Sequence, residues 1–334
     1  MYKGQQRFNF FLHQLEEGFK AAATSKNPAL SLYQNKVRTP LFMLEGLCRL
    51  HANFQHPNKF TRLKERFKML EDGIGSIDYY DNAFKDLQHF SKVPAFVGKH
   101  LQHMFREKIQ HLNKALEEGK WINRERERFE KIRKKATEIK WLPEETEVLC
   151  MEEAYRKTIK GVERFGDKTG FQFDNMEEDV HELRRKLRWL SIYAHVLRGT
   201  AQLASLHKPS AILRSYHTDS VVQSPFNQLP APADHRCFLL LDRNYFLALS
   251  WIIERLGQLK DEGLMILAVK EAIQEKEMAD DEEAIQRASR MLGKRTNHLQ
   301  VLLQEASTLT KRFFRQKILD GLVIGVVQPL ESKR

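Results

Sequence analysis

Residues 180–197 read VHELRRKLRWLSIYAHVL, and their apolar positions recur with the period of an α-helix. One face of that helix is apolar, formed by Leu183, Leu187, Leu190, Ala194 and Leu197. The opposite face is cationic and contains no acidic residue; it is formed by His181, Arg184, Arg185, Arg188 and His195. The stretch therefore predicts a helix that buries one side in a core and presents a row of positive charge on the other.

Helical periodicity extends over most of the chain. The apolar positions predict helices at residues 4–22, 39–54, 59–90, 95–118, 121–140, 145–165, 175–206, 243–276 and 281–319. The chain contains only 16 Gly and 10 Pro, so few positions interrupt these helices. Strands are expected to be essentially absent, and the predicted fold class is all-α.

The length of the chain favours two helical units. A chain of 334 residues exceeds the roughly 250–300 residues at which single cores stop growing. Three glycines between residues 161 and 170 place the boundary, which gives a first bundle at 1–165 and a second at 166–334. Four prolines interrupt the second bundle at about 207–242, and the length of this stretch predicts a functional loop or a mobile insertion.

A weak internal repeat accompanies this division. NKVR at 35–38 opens a helix in the first half, and HELR at 181–184 occupies the corresponding place in the second. IGSID at 74–78 and LGQLKD at 256–261 lie in the helices that follow. We therefore expect two copies of a helical hairpin, the second lengthened by the insertion.

The charge of the chain favours an anionic partner. The formal net charge is +11, and residues 1–170 carry 32 Lys and Arg against 23 Asp and Glu. A basic excess of this kind favours nucleic acid, anionic membrane or polyphosphate partners and accelerates their encounter, although it carries no information about the fold.

The sequence also predicts a compartment. Cys48, Cys150 and Cys237 are odd in number and far apart, so they form neither a disulfide framework nor a CxxC zinc site. The N-terminal residues lack the unbroken apolar run of a signal peptide. The longest apolar run, at 321–327, is far shorter than the ~18 residues of a membrane span and is expected to pack as a tail. We expect a cytoplasmic protein without a membrane partner.

The arginines at 184, 185 and 188 indicate phosphate chemistry. Like charges one helical turn apart repel mildly, and exposed helix faces usually relieve this repulsion by mixing Glu with Lys. Here the repulsion is uncompensated within the row, so a bound anion or an acid from another helix is expected to relieve it. Arginine binds phosphate with two parallel hydrogen bonds, whereas lysine acts as a point charge. A phosphate polymer is therefore one partner for this row, and acids across the bundle or plain solvation are the alternative.

The cationic helix resembles the signature helix of the CHAD family, the conserved histidine α-helical domain, whose motif is His-x-x-Arg-x-x-x-Arg followed by further basic residues. His181, Arg184 and Arg188 match the motif positions, while Trp189 and Ser191 stand at two later basic places. The LGQLKD stretch resembles the family's Leu-Gly-x-x-Arg-Asp on the next helix, and the IGSID stretch resembles it more faintly.

The first copy of the motif has diverged further. Asn35 stands where the family has histidine, Arg38 matches, and Phe42 replaces the second arginine. The resemblance implies two helical bundles related by a pseudo-two-fold axis, with a basic central cleft that binds inorganic polyphosphate. The predicted binding residues are His181, Arg184, Arg185, Arg188, Arg38, Lys36, Arg62, Arg66 and Lys260. Protonation of His181 is expected to strengthen binding at lower pH.

Enzymatic and metal-dependent functions find little support. His100, His103 and Glu107 share a helix face, and Glu178 precedes His181 in the Glu-x-x-His form of di-iron bundles, which need two such elements and two more carboxylates. The chain has neither a GxxxxGK[ST] phosphate loop nor a GxSxG elbow. We predict a non-catalytic protein with no cofactor and no metal.

Three other functions remain open on the same residues. Nucleic acid is a possible partner for the basic faces, although helix-turn-helix, zinc-finger and aromatic stacking signatures are absent. A hydrolase of phosphate esters and a scaffold that binds an acidic protein are the others. Competition between polyphosphate, DNA and RNA would separate these alternatives.

Overall fold

The computed structural model describes residues 2–123, 127–232 and 234–328, and helices dominate them. Helices α1 to α13 span Lys3–Ala23, Pro28–Gln34, Arg38–His51, Pro57–Leu87, Ala95–Glu118, Glu127–Thr137, Glu144–Thr169, Glu182–Val196, Ala211–Arg214, Asp219–Val222, Arg243–Glu277, Asp281–Met291 and His298–Arg315. Strands β1 to β3 span Ala201–Ala204, Phe238–Asp242 and Val323–Val327. The prediction of an all-α fold class is confirmed in the sense that helices form nearly all of the regular structure.

The helix ends differ from the predicted ones in places. Helix α5 has the predicted bounds, and α11 extends one residue beyond its predicted end. The predicted helix at 281–319 is divided into α12 and α13, because the chain turns at Gly293 with a φ of 69°. Helix α6 begins later than predicted, at Glu127, and residues 124–126 of the predicted helix lie outside the described residues.

A small sheet contradicts the prediction that strands are essentially absent. Strand β1 pairs with β2 in parallel, and β3 pairs with the other edge of β2 in antiparallel. The predicted helix at 175–206 ends at Val196 instead of continuing through β1. The reason is backbone geometry, since Arg198 and Gly199 both adopt positive φ, which an α-helix does not allow.

The last five residues of the apolar run at 321–327 form β3, so the run packs as an edge strand of the sheet. Its Gly325 has a φ of 144° opposite Leu240, next to an irregularity in the β2–β3 register. Glycine is required there because side chains clash with the backbone at this φ. None of the helices in the described ranges combines the length and apolarity that crossing a membrane demands.

The proline-rich stretch at 207–242 packs on the second half of the molecule. It contains the short helices α9 and α10, a 3₁₀ turn at Pro225–Asn227 and strand β2. Leu213 and Val221 are buried, and the Asn227 side chain donates a hydrogen bond to the Val221 carbonyl at 2.7 Å. These short elements lie against α11.

The two predicted halves share one core. Buried apolar side chains from residues 1–165 and 166–334 form a single continuous cluster. Helix α7 runs through the proposed boundary at 165/166 and ends at Gly170, which adopts a φ of 57°. Helices α3 and α8 pack closely, because a Cβ at Gly46 would lie only 3.1 Å from Cγ2 of Ile192. A cleft lies beside this helix pair.

Candidate functional site

A cleft of about 700 Å³ lies between α4 of the first half and α8 and α11 of the second. It brings together six of the nine predicted site residues, namely Arg38, His181, Arg184, Arg185, Arg188 and Lys260. Both copies of the repeat contribute to the lining of the cleft. Gly75 and Asp78 lie on α4, and Asp261 lies on α11. The cleft therefore has the position that the family resemblance implies, between the two halves.

The cationic wall of the cleft is built by the beginning of α8. A π-helical turn at Met176–His181 leads directly into the helix, with the Asn175 side chain accepting hydrogen bonds from the Glu177 and Glu178 amides. From His181 onward the spacing is i, i+3 and i+7, which places Arg184 and Arg188 on the same side. Their buried neighbours Leu183 and Leu187 fix the rotation of the helix.

Arg184 reaches the backbone of α11 across a glycine. Its Nε donates to the carbonyl oxygen of Ile253 at 3.1 Å. A Cβ at position 257 would lie 3.0 Å from the same Nε, so Gly257 provides the space in which the guanidinium group lies. The glycine at position 257 is thus explained by the space that the Arg184 side chain occupies.

The first half contains the equivalent contact. A Cβ at Gly75 would lie 2.8 Å from Nη2 of Arg38, so this guanidinium group also lies over a glycine. Unlike Arg184, Arg38 is neutralised by two acids: its Nε donates to Glu71 at 2.6 Å and its Nη1 to Asp78 at 3.0 Å. Asp78 therefore helps to position Arg38 through a salt bridge.

A local two-fold relation between α3 and α8 is visible in their contacts. The two motif copies are offset by 146 residues, which makes Phe42 equivalent to Arg188 and Gly46 equivalent to Ile192. Both equivalent pairs are in contact, with the Arg188 guanidinium carbon 4.6 Å from the centre of the Phe42 ring. Contact between equivalent positions is what a two-fold axis produces. A cation–π contact thus occupies the axis, where two arginines would repel each other.

Arg184 and Arg188 have no carboxylate at ion-pair distance in the described part of the chain. Arg188 is part-buried, and burial followed by the neighbouring charges of Arg184 and Arg38 lowers its pKa to about 10. Burial also lowers the pKa of Arg184, opposed by the more distant charge of Asp261. Two guanidinium groups that remain charged at neutral pH thus lie side by side with incomplete compensation.

The other basic residues of this wall are paired. Glu182 contacts both Arg185, at 2.5 Å, and Lys186, at 3.0 Å. The expectation that repulsion in the row is uncompensated within the helix was therefore wrong for Arg185, because Glu182 lies one turn away from it. Lys260 pairs with Asp261 at 2.6 Å.

His181 is neutral in the unliganded cleft at neutral pH. Burial, followed by the charges of Lys260, Arg184 and Arg185, lowers its pKa to about 4. The expectation that a protonated His181 supplies charge therefore needs correction, since the free protein holds the proton only in distinctly acid solution. A bound anion would offset the neighbouring cations and raise the pKa of the imidazole.

The opposite wall is acidic, which the sequence analysis missed. Four carboxylates from α4 line this side, namely Glu71, Asp72, Asp78 and Asp86, and Glu177 of the π-turn before α8 adds a fifth to the cleft. With Asp261 the lining contains six carboxylates and six Lys or Arg side chains, so its formal charge is balanced. The sequence contained one indication of this acidic wall. When IGSID at 74–78 is aligned with LGQLKD at 256–261, Asp78 corresponds to Lys260. Positive potential is confined to the wall around Arg184 and Arg188.

Three predicted site residues lie outside the cleft. Arg62 and Arg66 line a separate groove further towards the beginning of α4. Lys36 is exposed in the turn before α3, where it adopts a φ of 54°. His195, on the predicted cationic face, instead contacts the Phe226 carbonyl at 2.8 Å. Helical periodicity shows which residues share a face of one helix, but it does not show which faces of different helices meet.

The candidate metal ligands are engaged in other contacts. His100 lies between Glu271 and Glu275 of α11, and these two carboxylates raise its pKa against the effect of burial. Within the described ranges no three His, Cys, Asp or Glu side chains are grouped as a metal site. The contact joins α5 to α11.

Comparisons of the chain with family models, curated proteins and solved structures found no match. The CHAD resemblance carried by His181, Arg184 and Arg188 therefore stays a prediction.

Proposed function

We propose that the cleft binds a phosphate-bearing polyanion, in the first instance inorganic polyphosphate, without turning it over. The observation that carries the proposal is the pair of guanidinium groups of Arg184 and Arg188, adjacent and without carboxylate partners in the described chain. Arranging two part-buried cations in this way is unfavourable unless an anion compensates them. A phosphate oxygen pair fits the planar donor set of each arginine.

The CHAD resemblance supports the ligand class, and membership of that family is part of the proposal. The acidic wall adds a restriction, because Glu71, Asp78 and Asp86 would repel a polymer that fills the whole cleft. A short segment on the α8 wall is therefore the favoured binding mode. We place the protein in the cytoplasm, a location that suits the free thiols of Cys48, Cys150 and Cys237.

The test is the double variant Arg184→Gln with Arg188→Gln. Each charge-assisted hydrogen bond contributes about 1.5–3 kcal/mol, so the variant should bind polyphosphate at least about a hundred-fold more weakly by calorimetry. Arg185→Gln is the matched control on the same helix, and it should have a smaller effect because Glu182 already pairs with Arg185. Circular dichroism checks that both variants are folded.

Titrations at several ionic strengths, with DNA and RNA as competitors, separate the alternatives. Binding should weaken steeply with salt, since charge neutralisation releases counterions. Unchanged affinity in the double variant would remove the proposal. Preference for DNA or RNA would favour a nucleic-acid-binding function, and release of orthophosphate during incubation would favour a hydrolase.

A further inference from the structure

A second basic depression lies on the outside of the molecule, between the beginning of α4 and the end of α6. It encloses about 270 Å³ and is lined by Asn58, Lys59, Arg62, Leu63, Arg66, Lys135, Glu138 and Ile139. We call it the α4–α6 groove. Four of its side chains are cationic and one is acidic, so unlike the cleft it has a clear positive excess.

Three of the four cations of the α4–α6 groove are without hydrogen-bond or ion-pair partners in the described part of the chain. Glu138 pairs only with Lys59, at 3.8 Å. Over residues 2–123, 127–232 and 234–328, no hydrogen bond or ion pair involves the side chains of Arg62, Arg66 or Lys135. Neighbouring basic residues differ, since Lys68 pairs with Asp72 on the same helix. Three cations that line one depression are thus uncompensated, and like charges one helical turn apart, as at Arg62 and Arg66, repel each other mildly.

The groove is also held rigidly. Leu63 and Ile139 are almost fully buried at its base, so the two helices cannot separate without exposing core side chains. Burial, followed by the charge of Arg66, lowers the pKa of Arg128 on α6. Arg128 therefore lies near enough to Arg66 to add to the positive potential around the groove. The backbone positions of the cations are therefore fixed close together, and a bound anion would compensate charges that otherwise only solvent and salt screen.

We infer that the α4–α6 groove is a second anion site, which binds a short phosphate chain through Arg62, Arg66 and Lys135. It is distinct from the cleft, since the two linings share no residue; their nearest members on α4, Arg66 and Glu71, are five residues apart, roughly 7.5 Å along the helix axis. Arginines spaced by four residues can contact neighbouring phosphoryl groups from one side, with the lysine opposite. The inference does not depend on binding in the cleft.

The experiment is calorimetric titration of the full chain with tripolyphosphate. Arg62→Gln with Arg66→Gln should weaken one binding event about a hundred-fold, since two charge-assisted contacts are lost. The control is Arg106→Gln with Arg290→Gln, which removes the same charge from two exposed positions outside both sites and should leave binding unchanged. Equal losses in both variants would show a nonspecific charge effect and overturn the inference.

The cleft variant separates this inference from the proposed function. In a chain carrying Arg184→Gln and Arg188→Gln, the groove should still bind one tripolyphosphate, and adding the Arg62 and Arg66 changes should abolish that binding. Absence of the remaining site would overturn the groove while leaving the cleft intact. Sulfate that binds as tightly as tripolyphosphate would overturn the assignment to a phosphate chain.

Discussion

Replacing Glu147 by leucine should destabilise the protein strongly, because it leaves a buried arginine without its counterion. Arg7 and Glu147 are only 3% and 1% exposed in their side chains, and Nη1 of Arg7 lies 3.2 Å from Oε2 of Glu147. The other Arg7 nitrogen, Nη2, donates to the Thr200 hydroxyl at 2.9 Å. Through this network α1 is joined to α7 and to the residue before β1.

The expected magnitude follows from this burial. Removing one partner of a buried ion pair costs about 3–5 kcal/mol, because the remaining charge stays desolvated and unpaired. The hydroxyl of Thr200 offers Arg7 only one neutral acceptor, so we expect Glu147→Leu to fall within that range. Burial already raises the pKa of Glu147 against the opposing charge of Arg7. Arg7→Met should therefore cost less at acid pH, where Glu147 becomes neutral by binding a proton.

Urea denaturation of both single variants and of Arg7→Met with Glu147→Leu tests this prediction as a double-mutant cycle. The double variant should recover at least about 2 kcal/mol relative to Glu147→Leu, since apolar replacement of a whole buried pair is often nearly neutral. A loss below about 1 kcal/mol in Glu147→Leu, or a double variant no more stable than it, would refute the reasoning.

Two further predictions concern the cleft. The pKa of His181, about 4 in the free protein, should rise when an anion offsets its cationic neighbours, so binding near pH 5 should take up protons and strengthen as pH falls. Calorimetry in buffers of different ionisation enthalpy measures the uptake; His181→Asn should abolish it, and buffer-independent heats in the wild type would contradict the idea. Gly257→Ala should weaken polyphosphate binding about ten-fold by displacing Arg184, although alanine favours helix by up to about 1 kcal/mol. Unaltered binding would show that Arg184 tolerates the methyl group.

The helical part of the fold was predictable because its information is local. Apolar residues at a 3.6-residue period are visible without knowing what they pack against, and α5 and α11 appear almost as expected. The grouping of His181, Arg184 and Arg188 on one wall follows from the same period. The equivalence of Arg38 and Arg184 was predictable from the repeat, and both pack over a glycine.

The missed features depend on contacts between distant residues. Strands β1 and β3 have only four and five residues and pair with β2, so neither has a recognisable period alone. The acidic wall is formed when α4 faces α8, which no single helix reveals. The assignment of Arg62 to the cleft failed for the same reason, since position along α4 decides which site a residue reaches.

The contact between Phe42 and Arg188 decides how a ligand can lie. In a symmetric duplicate, a chain placed across the axis would have two degenerate orientations of equal energy. Here the first half offers an aromatic ring and four of the six carboxylates, while the second offers three of the four arginines, so reversing the ligand exchanges attraction for repulsion. Divergence of the first copy thus gives the cleft a polarity, and a molecule with one anionic end and one neutral or cationic end would enter in a single direction.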